Sequence, residues 1–190
     1  TYDGHSFTLT GRPNDQKAVP PPPVDPKRFD PPCPTPAGGW QVVDPSKVAL
    51  ANFQDISSRP RSLADFAGLW VGHVPASGGP ATVGQPTVDV YTIAFTRNLA
   101  EHEAEIRTFW GGPICVTQLP RSYAALAAAS TRLRRLAPQL HLTVLVAGTD
   151  DRSNQITAEV VLATPADQRK VDATFGRGII HLTSALQRTK

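Results

Sequence analysis

The sequence contains no methionine and only two cysteines among its 190 residues, and only 18% of its residues are charged. Because Thr1 is therefore not a translation start, we expect a processed chain, as left when a signal sequence is removed from an exported protein. No apolar run approaches the ~18–20 residues that a membrane-spanning helix needs. The longest apolar stretches, such as residues 140–148, have the length of a strand.

Charge and aromatic residues are too sparse to indicate a nucleic-acid partner. The net charge is +3, and the excess of basic over acidic residues lies in residues 88–190. Aromatic residues make up 7% of the chain. A nucleic-acid-binding domain usually carries a denser basic stripe with interleaved aromatics. In the run TRLRRL, Arg132 and Arg135 share one helix face. Such a face is usually solvated, but it also suits an acidic partner or a membrane surface with anionic headgroups.

No recognised catalytic or cofactor motif is present. The cysteines do not form a C-x-x-C pair, no G-x-S-x-G elbow occurs, and no glycine loop joins a strand to a helix as phosphate binding requires. The run EHEAE at 101–105 lacks the two histidines of a zinc-binding helix, and we interpret it as the solvated acidic first turn of a helix. The sequence therefore predicts no metal and no cofactor. His141, His181 and Cys115 leave open an enzyme site assembled from distant residues.

Proline is concentrated at the N-terminus. More than half of the 19 prolines lie in the first fifth of the chain. Residues 1–39 are therefore predicted to form an extended arm, in polyproline II and turns, after a short edge strand within residues 1–12. Such an arm is suited to lie along a partner, and its candidate partner-binding residues are Pro20, Pro21, Pro22 and Pro23.

Cys33 stands in the proline-rich run PPCPTP, and Cys115 lies far along the chain. Three interpretations compete: a disulfide between the two, two buried thiols, or one reactive nucleophile. We favour the disulfide because a cysteine flanked by prolines has little core of its own in which to be buried. It would remove ~4–5 kcal/mol of loop-closure entropy from the unfolded chain. A disulfide implies an oxidising, extracytoplasmic compartment.

The rest of the chain predicts an α+β fold. Residues 40–87 are a connecting segment with two short helices, one started by Asp44 and Pro45 and one between Ser62 and Gly68. Residues 88–190 are the α+β domain, which opens with a strand and a helix that Asn98 caps. A β-α-β-β-α-β order, the ferredoxin-like split βαβ arrangement, follows at about 114–186. Its predicted elements are 114–119, a helix after Ser122 that ends at Pro138, 140–148, 155–163, a helix from Pro165 to Gly176, and 178–186.

Residues 114–186 resemble two groups of proteins. Their unit, with GTDDRSNQITAEVVL followed by ATFGRGIIHL, resembles small βαββαβ modules of actinobacterial secreted proteins and lipoproteins. It is also similar in layout to the pro-regions of alpha-lytic-type bacterial serine proteases. Neither resemblance carries catalytic residues onto this chain. Together they imply an exported protein whose module docks onto another molecule.

These observations predict a non-enzymatic extracytoplasmic docking or assembly protein, an accessory or structural subunit of a cell-envelope or extracellular complex. Its expected partners are proteins, and homo-oligomerisation stays open. The first alternative is a protease inhibitor or folding-assistance module similar to a pro-region. The second is a hydrolase or thiol enzyme whose site is assembled from distant residues.

Overall fold

The structure, a computed structural model, describes residues 30–75 and 86–188, together with the backbone of strand β1 (Phe7–Leu9). These residues divide into two compact units. The first unit covers the described residues up to 124, and the second covers residues 125–188 with β1. The predicted contact residues Pro20 to Pro23 lie outside the described residues.

The first unit contains two helices and one three-stranded sheet. Its elements are a 3-10 turn at Pro45–Lys47, helix α1 (Leu50–Ser58), a 3-10 turn at Pro60–Ser62, strand β2 (Phe66–Pro75), strand β3 (Thr87–Phe95), helix α2 (Leu99–Phe109) and strand β4 (Ile114–Gln118). Strand β3 lies in the middle, antiparallel to β2 and parallel to β4. Asp44 and Pro45 begin a helical turn as predicted, with Asp44 accepting a hydrogen bond from the backbone of Ser46 at 3.1 Å, but this turn is a 3-10 turn of three residues, and helix α1 begins separately at Leu50.

Two local predictions in this unit are wrong. The segment expected to be a helix up to Gly68 instead enters strand β2, where Phe66 pairs with Phe95 of β3. Cross-strand pairing and burial on β3 therefore override the local helical pattern. Helix α2 does begin after Asn98, but that residue has a left-handed φ of 56° and its side chain makes no capping hydrogen bond.

Strand β3 is buried on both faces, as its apolar composition predicted. Because side chains alternate along a strand, Tyr91, Ile93 and Phe95 face one side and Val90 the other. The first set packs in a core with helices α1 and α2. Val90 packs in a separate cluster with Trp40, Val74 and Cys115, which covers the second face.

The second unit contains helix α3 (Tyr123–Leu136, its first two residues excepted), strands β5 (Val144–Asp150) and β6 (Gln155–Val160), helix α4 (Pro165–Phe175), and strands β7 (Ile180–Ser184) and β8 (Leu186–Arg188). Strand β6 is the middle of the sheet β5-β6-β7, and β8 pairs with β1. Burial is one-sided along β6, since Ile156, Ala158 and Val160 are buried whereas Thr157 is exposed. The buried face packs against Leu126 and Leu133 of α3 and Val171 of α4.

The α+β class and the order β4-α3-β5-β6-α4-β7 are present, but the ferredoxin-like topology is not confirmed. Strand β4 pairs with β3, in a sheet apart from β5, β6 and β7. The physical reason is proximity in sequence: β3, α2 and β4 form a compact parallel crossover, and sequential strands usually pair. Strand β5 also begins at Val144 rather than at 140, after a turn in which His141 has a φ of 58°.

The two units repeat one topology that the sequence does not reveal. Each runs helix, antiparallel strand pair, helix, parallel strand. The helix-to-strand connections have equal lengths in both, at 59–65 and 137–143 and again at 110–113 and 176–179. Both strand pairs carry a register shift at the start of the first strand, between Phe66 and Gly68 and between Val144 and Val146. The first helix differs in length, with nine residues in α1 and 14 in α3, and the strand pair is longer in the first unit.

Candidate interaction groove

The first unit contains an open groove of about 350 Å³. It lies beside the start of strand β3, next to the connection between α2 and β4. Most of its lining is apolar, and the lining residues are Val42, Val48, Phe53, Thr87, Val88, Asp89, Trp110, Gly112 and Pro113. A concave, mainly apolar surface with few polar groups is the usual form of a binding site.

One wall of the groove exposes large apolar side chains. Val42 is 48% exposed and Phe53 is 36% exposed, and the nearby Val43 and Leu50 are 66% and 75% exposed. Clustered exposure of this kind marks interaction surfaces, whereas scattered apolar residues do not. The wall belongs to residues 42–53, which lead from Trp40, on the second face of the sheet, into helix α1.

Backbone hydrogen bonds hold this wall against the α2–β4 connection. The N–H groups of Val43 and Asp44 donate to the carbonyl of Gly111 at 2.8 and 3.2 Å, and Gly111 N–H donates to the carbonyl of Lys47 at 3.1 Å. The Arg107 guanidinium donates to the carbonyl of Gly112 at 2.7 Å, and burial lowers its pKa. The groove is therefore preformed.

An aromatic cluster forms the back of the groove. The ring of Trp110 lies 4.9 Å from that of Phe53 and 5.1 Å from that of Tyr91, both in edge-to-face arrangements. Trp110 is only 2% exposed, so it supplies a rigid apolar surface. Burial, and secondarily the charge of Asp89, raises the pKa of the Tyr91 phenol, which keeps this hydroxyl neutral.

The polar side chains that line the groove are those of Thr87 and Asp89, and Asp89 contacts His73, its neighbour across the strand pair. The Nδ1 atom of His73 contacts a carboxylate oxygen of Asp89, and both side chains are more than half exposed. An exposed pair of this kind contributes little to stability. It does place a carboxylate and an imidazole beside an apolar groove.

Cys33 and Cys115 form the predicted disulfide, with Cα atoms 5.7 Å apart. It fastens the end of the proline-rich segment to β4, where Trp40 is 5% exposed and packs on Val90. The pair fits an oxidising, extracytoplasmic setting. Because the sulfur of Cys115 is bonded to Cys33, no thiolate is available there for nucleophilic chemistry.

His102 is not the solvated residue that the run EHEAE suggested. Its side chain is 12% exposed, its ring stacks on that of Phe95 at 3.9 Å, and its Nε2 lies 2.8 Å from an oxygen of Asp65. This hydrogen bond is the main cause that lowers the pKa of Asp65. The stacked and paired ring joins the start of α2 to the sheet, which is a structural role.

The other predicted residues lie in the second unit. Arg132 places its guanidinium 4.9 Å from the ring of Phe175, whereas Arg135 is exposed on helix α3. His141 lies in a turn and not in a strand, His181 lies in β7, and both are exposed. Within residues 30–75 and 86–188, no three histidine, cysteine or acidic side chains are grouped closely enough to hold a metal ion.

No protein-family model matches the chain, and no curated protein matches it either. Across the described residues, no helix combines the length and apolar character that crossing a membrane requires.

The groove residues were missed by sequence reasoning. Val48, Phe53 and Ile56 lie in the segment that the sequence predicts as a short helix after Asp44 and Pro45, and their apolar side chains favour one buried face, yet Ile56 is fully buried whereas Phe53 lines the open groove. Periodicity assigns every apolar residue on a face to the core. The excess of apolar residues in so short a helix was the one available signal.

Proposed function

We propose that the protein is a non-enzymatic extracytoplasmic docking protein, an accessory subunit of a cell-envelope or extracellular complex. Its first unit holds a partner protein in the groove between α1 and the start of β3. The single observation that carries this proposal is the open apolar groove lined by Phe53, Trp110 and Val42. Apolar and aromatic anchors at the centre of an interface supply most of its binding free energy.

The construction of the groove supports binding over catalysis. Phe53 and Trp110 give it an aromatic surface, backbone hydrogen bonds to Gly111 fix the adjoining segment, and its one charged lining residue, Asp89, is paired with His73. A preformed surface loses little conformational entropy when a partner binds. The disulfide at Cys33 supports the extracytoplasmic setting, because such bonds persist where the surroundings are oxidising.

The proposal is tested with full-length, disulfide-intact protein as bait in a cell-envelope extract of the producing organism. Proteins that the wild type retains are identified, purified and measured for affinity against two variants. Phe53→Asp places a charge in the groove, and we expect it to weaken binding at least about thirtyfold, as for an interface hot spot. Leu145→Asp changes a side chain of the second unit that is 53% exposed, and it serves as the matched control.

Both variants must show the wild-type unfolding midpoint for the comparison to hold. Equal binding of a purified partner to wild type and Phe53→Asp would show that the groove is not the docking site. A partner lost from Leu145→Asp but not from Phe53→Asp would assign docking to the second unit.

A further inference from the structure

Strand β3 extends past the start of its parallel neighbour and leaves part of its backbone edge open. The ladder between β3 and β4 begins at Tyr91 and Ile114, where Tyr91 N–H donates to the carbonyl of Pro113 at 3.2 Å. Residues 87–90 of β3 precede that point and pair only with β2.

The direction of these backbone groups follows from the alternation along a strand. Tyr91 directs its N–H toward β4, so Asp89 and Thr87, two and four positions earlier, direct their N–H and C=O groups to the same side. Among the described residues, no backbone group bonds these two residues on that side. Both residues are exposed.

The second unit lacks this extension. Its parallel ladder begins at Ile156 and Ile180, with Ile156 N–H donating to the carbonyl of Ile179 at 2.8 Å, in the same position as the Tyr91 bond. Strand β6 starts at Gln155, only one residue earlier, so the overhang is absent. The shared topology therefore does not require an open edge, and the first unit has one in addition.

The open edge and the apolar groove coincide. Thr87 and Asp89 line the groove together with Val42, Val48 and Trp110. An exposed strand edge offers main-chain hydrogen bonds to an extended peptide, and an adjacent pocket selects one of its side chains.

We infer that an extended segment of the partner protein adds to β3 as a short strand along Thr87–Asp89 and inserts one large apolar side chain against Phe53 and Trp110. This inference rests on the proposed docking function and specifies its ligand as a β-strand peptide. The chain's own run Pro20 to Pro23 is a poor occupant, since proline has no N–H to donate to the carbonyls of Thr87 and Asp89.

The test uses linear peptides selected from a displayed random library on the full-length, disulfide-intact protein. Selected peptides that Phe53→Asp no longer binds are synthesised, and their affinity is measured for Thr87→Pro and Thr87→Ala. Both variants lose the threonine side chain, but only proline loses the N–H. Because Thr87 is the first residue of β3 and its N–H does not face β2, proline is compatible with the strand.

We expect Thr87→Ala to bind within about twofold of wild type and Thr87→Pro to bind about five- to tenfold more weakly, the loss of one hydrogen bond. On the unaltered protein, N-methylation of the peptide at every second residue should weaken binding similarly, and methylation at the intervening residues should not. Amide hydrogen exchange at Thr87 and Asp89 should slow when the peptide is bound.

Several outcomes would overturn the inference. The first is equal affinity of the peptide for the two Thr87 variants, together with the same effect of N-methylation at every position of the peptide. That result would reject strand addition, while the proposed docking function of the apolar groove would still stand. Failure to select any peptide that depends on Phe53 would reject the peptide ligand. Concentration-dependent self-association abolished by Thr87→Pro would identify a second copy of the chain as the occupant.

Discussion

Reduction of the Cys33–Cys115 disulfide should strongly destabilise the first unit. The two residues are 82 positions apart. In the loop-entropy relation, closing such a loop removes about 15 cal/mol/K from the unfolded chain, or about 4.5 kcal/mol at 25 °C. With a urea dependence of about 2 kcal/mol/M, the midpoint of unfolding should fall by about 2 M.

Tryptophan fluorescence isolates the effect, because all three tryptophans, Trp40, Trp70 and Trp110, lie in the first unit. Urea unfolding is followed by fluorescence and by circular dichroism, with and without a reducing agent. The fluorescence transition should shift by the full amount. The double variant Cys33→Ala/Cys115→Ala is the control, and its transition should not respond to the reducing agent.

Two results would refute this reasoning. If the native, unreduced protein presents two thiols to an alkylating reagent, the bond is not formed in solution. If the oxidised and reduced proteins unfold within about 0.3 M urea of each other, the covalent link does not restrict the unfolded chain as the entropy model requires.

Three further predictions concern named contacts. Asp65→Asn should unfold at lower urea than wild type near pH 6. Because the folded pKa of Asp65 lies below its ordinary 3.8, this difference should begin to shrink below pH 3.8 and be lost as pH falls through the folded pKa. In Gly111→Ala the new Cβ would collide with the Asp44 carbonyl, so the free energy of unfolding, followed by fluorescence, should fall by about 1–3 kcal/mol. The control Gly148→Ala has open space around its Cβ, and its stability should equal that of the wild type. Thr164→Ala removes the capping box of α4 and should cost about 1 kcal/mol by circular dichroism, with the fluorescence transition unchanged.

Each of the three has a contradicting outcome. An Asp65→Asn difference that persists unchanged at pH 3 would show that the carboxylate does not act through its charge. Equal stability of the two glycine variants would mean that the wall at Asp44 yields readily. A Thr164→Ala protein as stable as wild type would show that the cap does not limit the stability of α4.

Local sequence signals predicted helices well where residues with a known preference for helix ends bound them. Pro165 and Gly176 were predicted to bound α4, and the structure confirms both, with a φ of 99° at the C-terminal glycine. The capping box at Thr164 is an addition that the structure shows. The same logic failed for the helix predicted between Ser62 and Gly68, because strand β2 begins at Phe66, where strand β3 offers it a partner. A pattern read within ten residues contains no information on a partner strand.

Strand partners decided the largest difference between expectation and structure. Strand β4 was expected to share a sheet with the strands that follow it, and it pairs instead with β3 through the crossover helix α2. Both pairings bury apolar residues, so the alternation within β4 does not distinguish them. The choice depends on which edge lies within reach once the preceding strand and helix are packed.

The amino-acid sequence by itself determined the order of helices and strands after residue 88 and the burial of β3 on both faces. It also determined the disulfide partner, because two cysteines can form only one intramolecular bond. Tertiary structure alone decided that Phe53 stays at the surface and that the backbone of Thr87 and Asp89 lacks a neighbour within the described chain. The physical reason is that side-chain chemistry is a property of each residue. The exposure of a side chain or a strand edge depends on where a different segment ends.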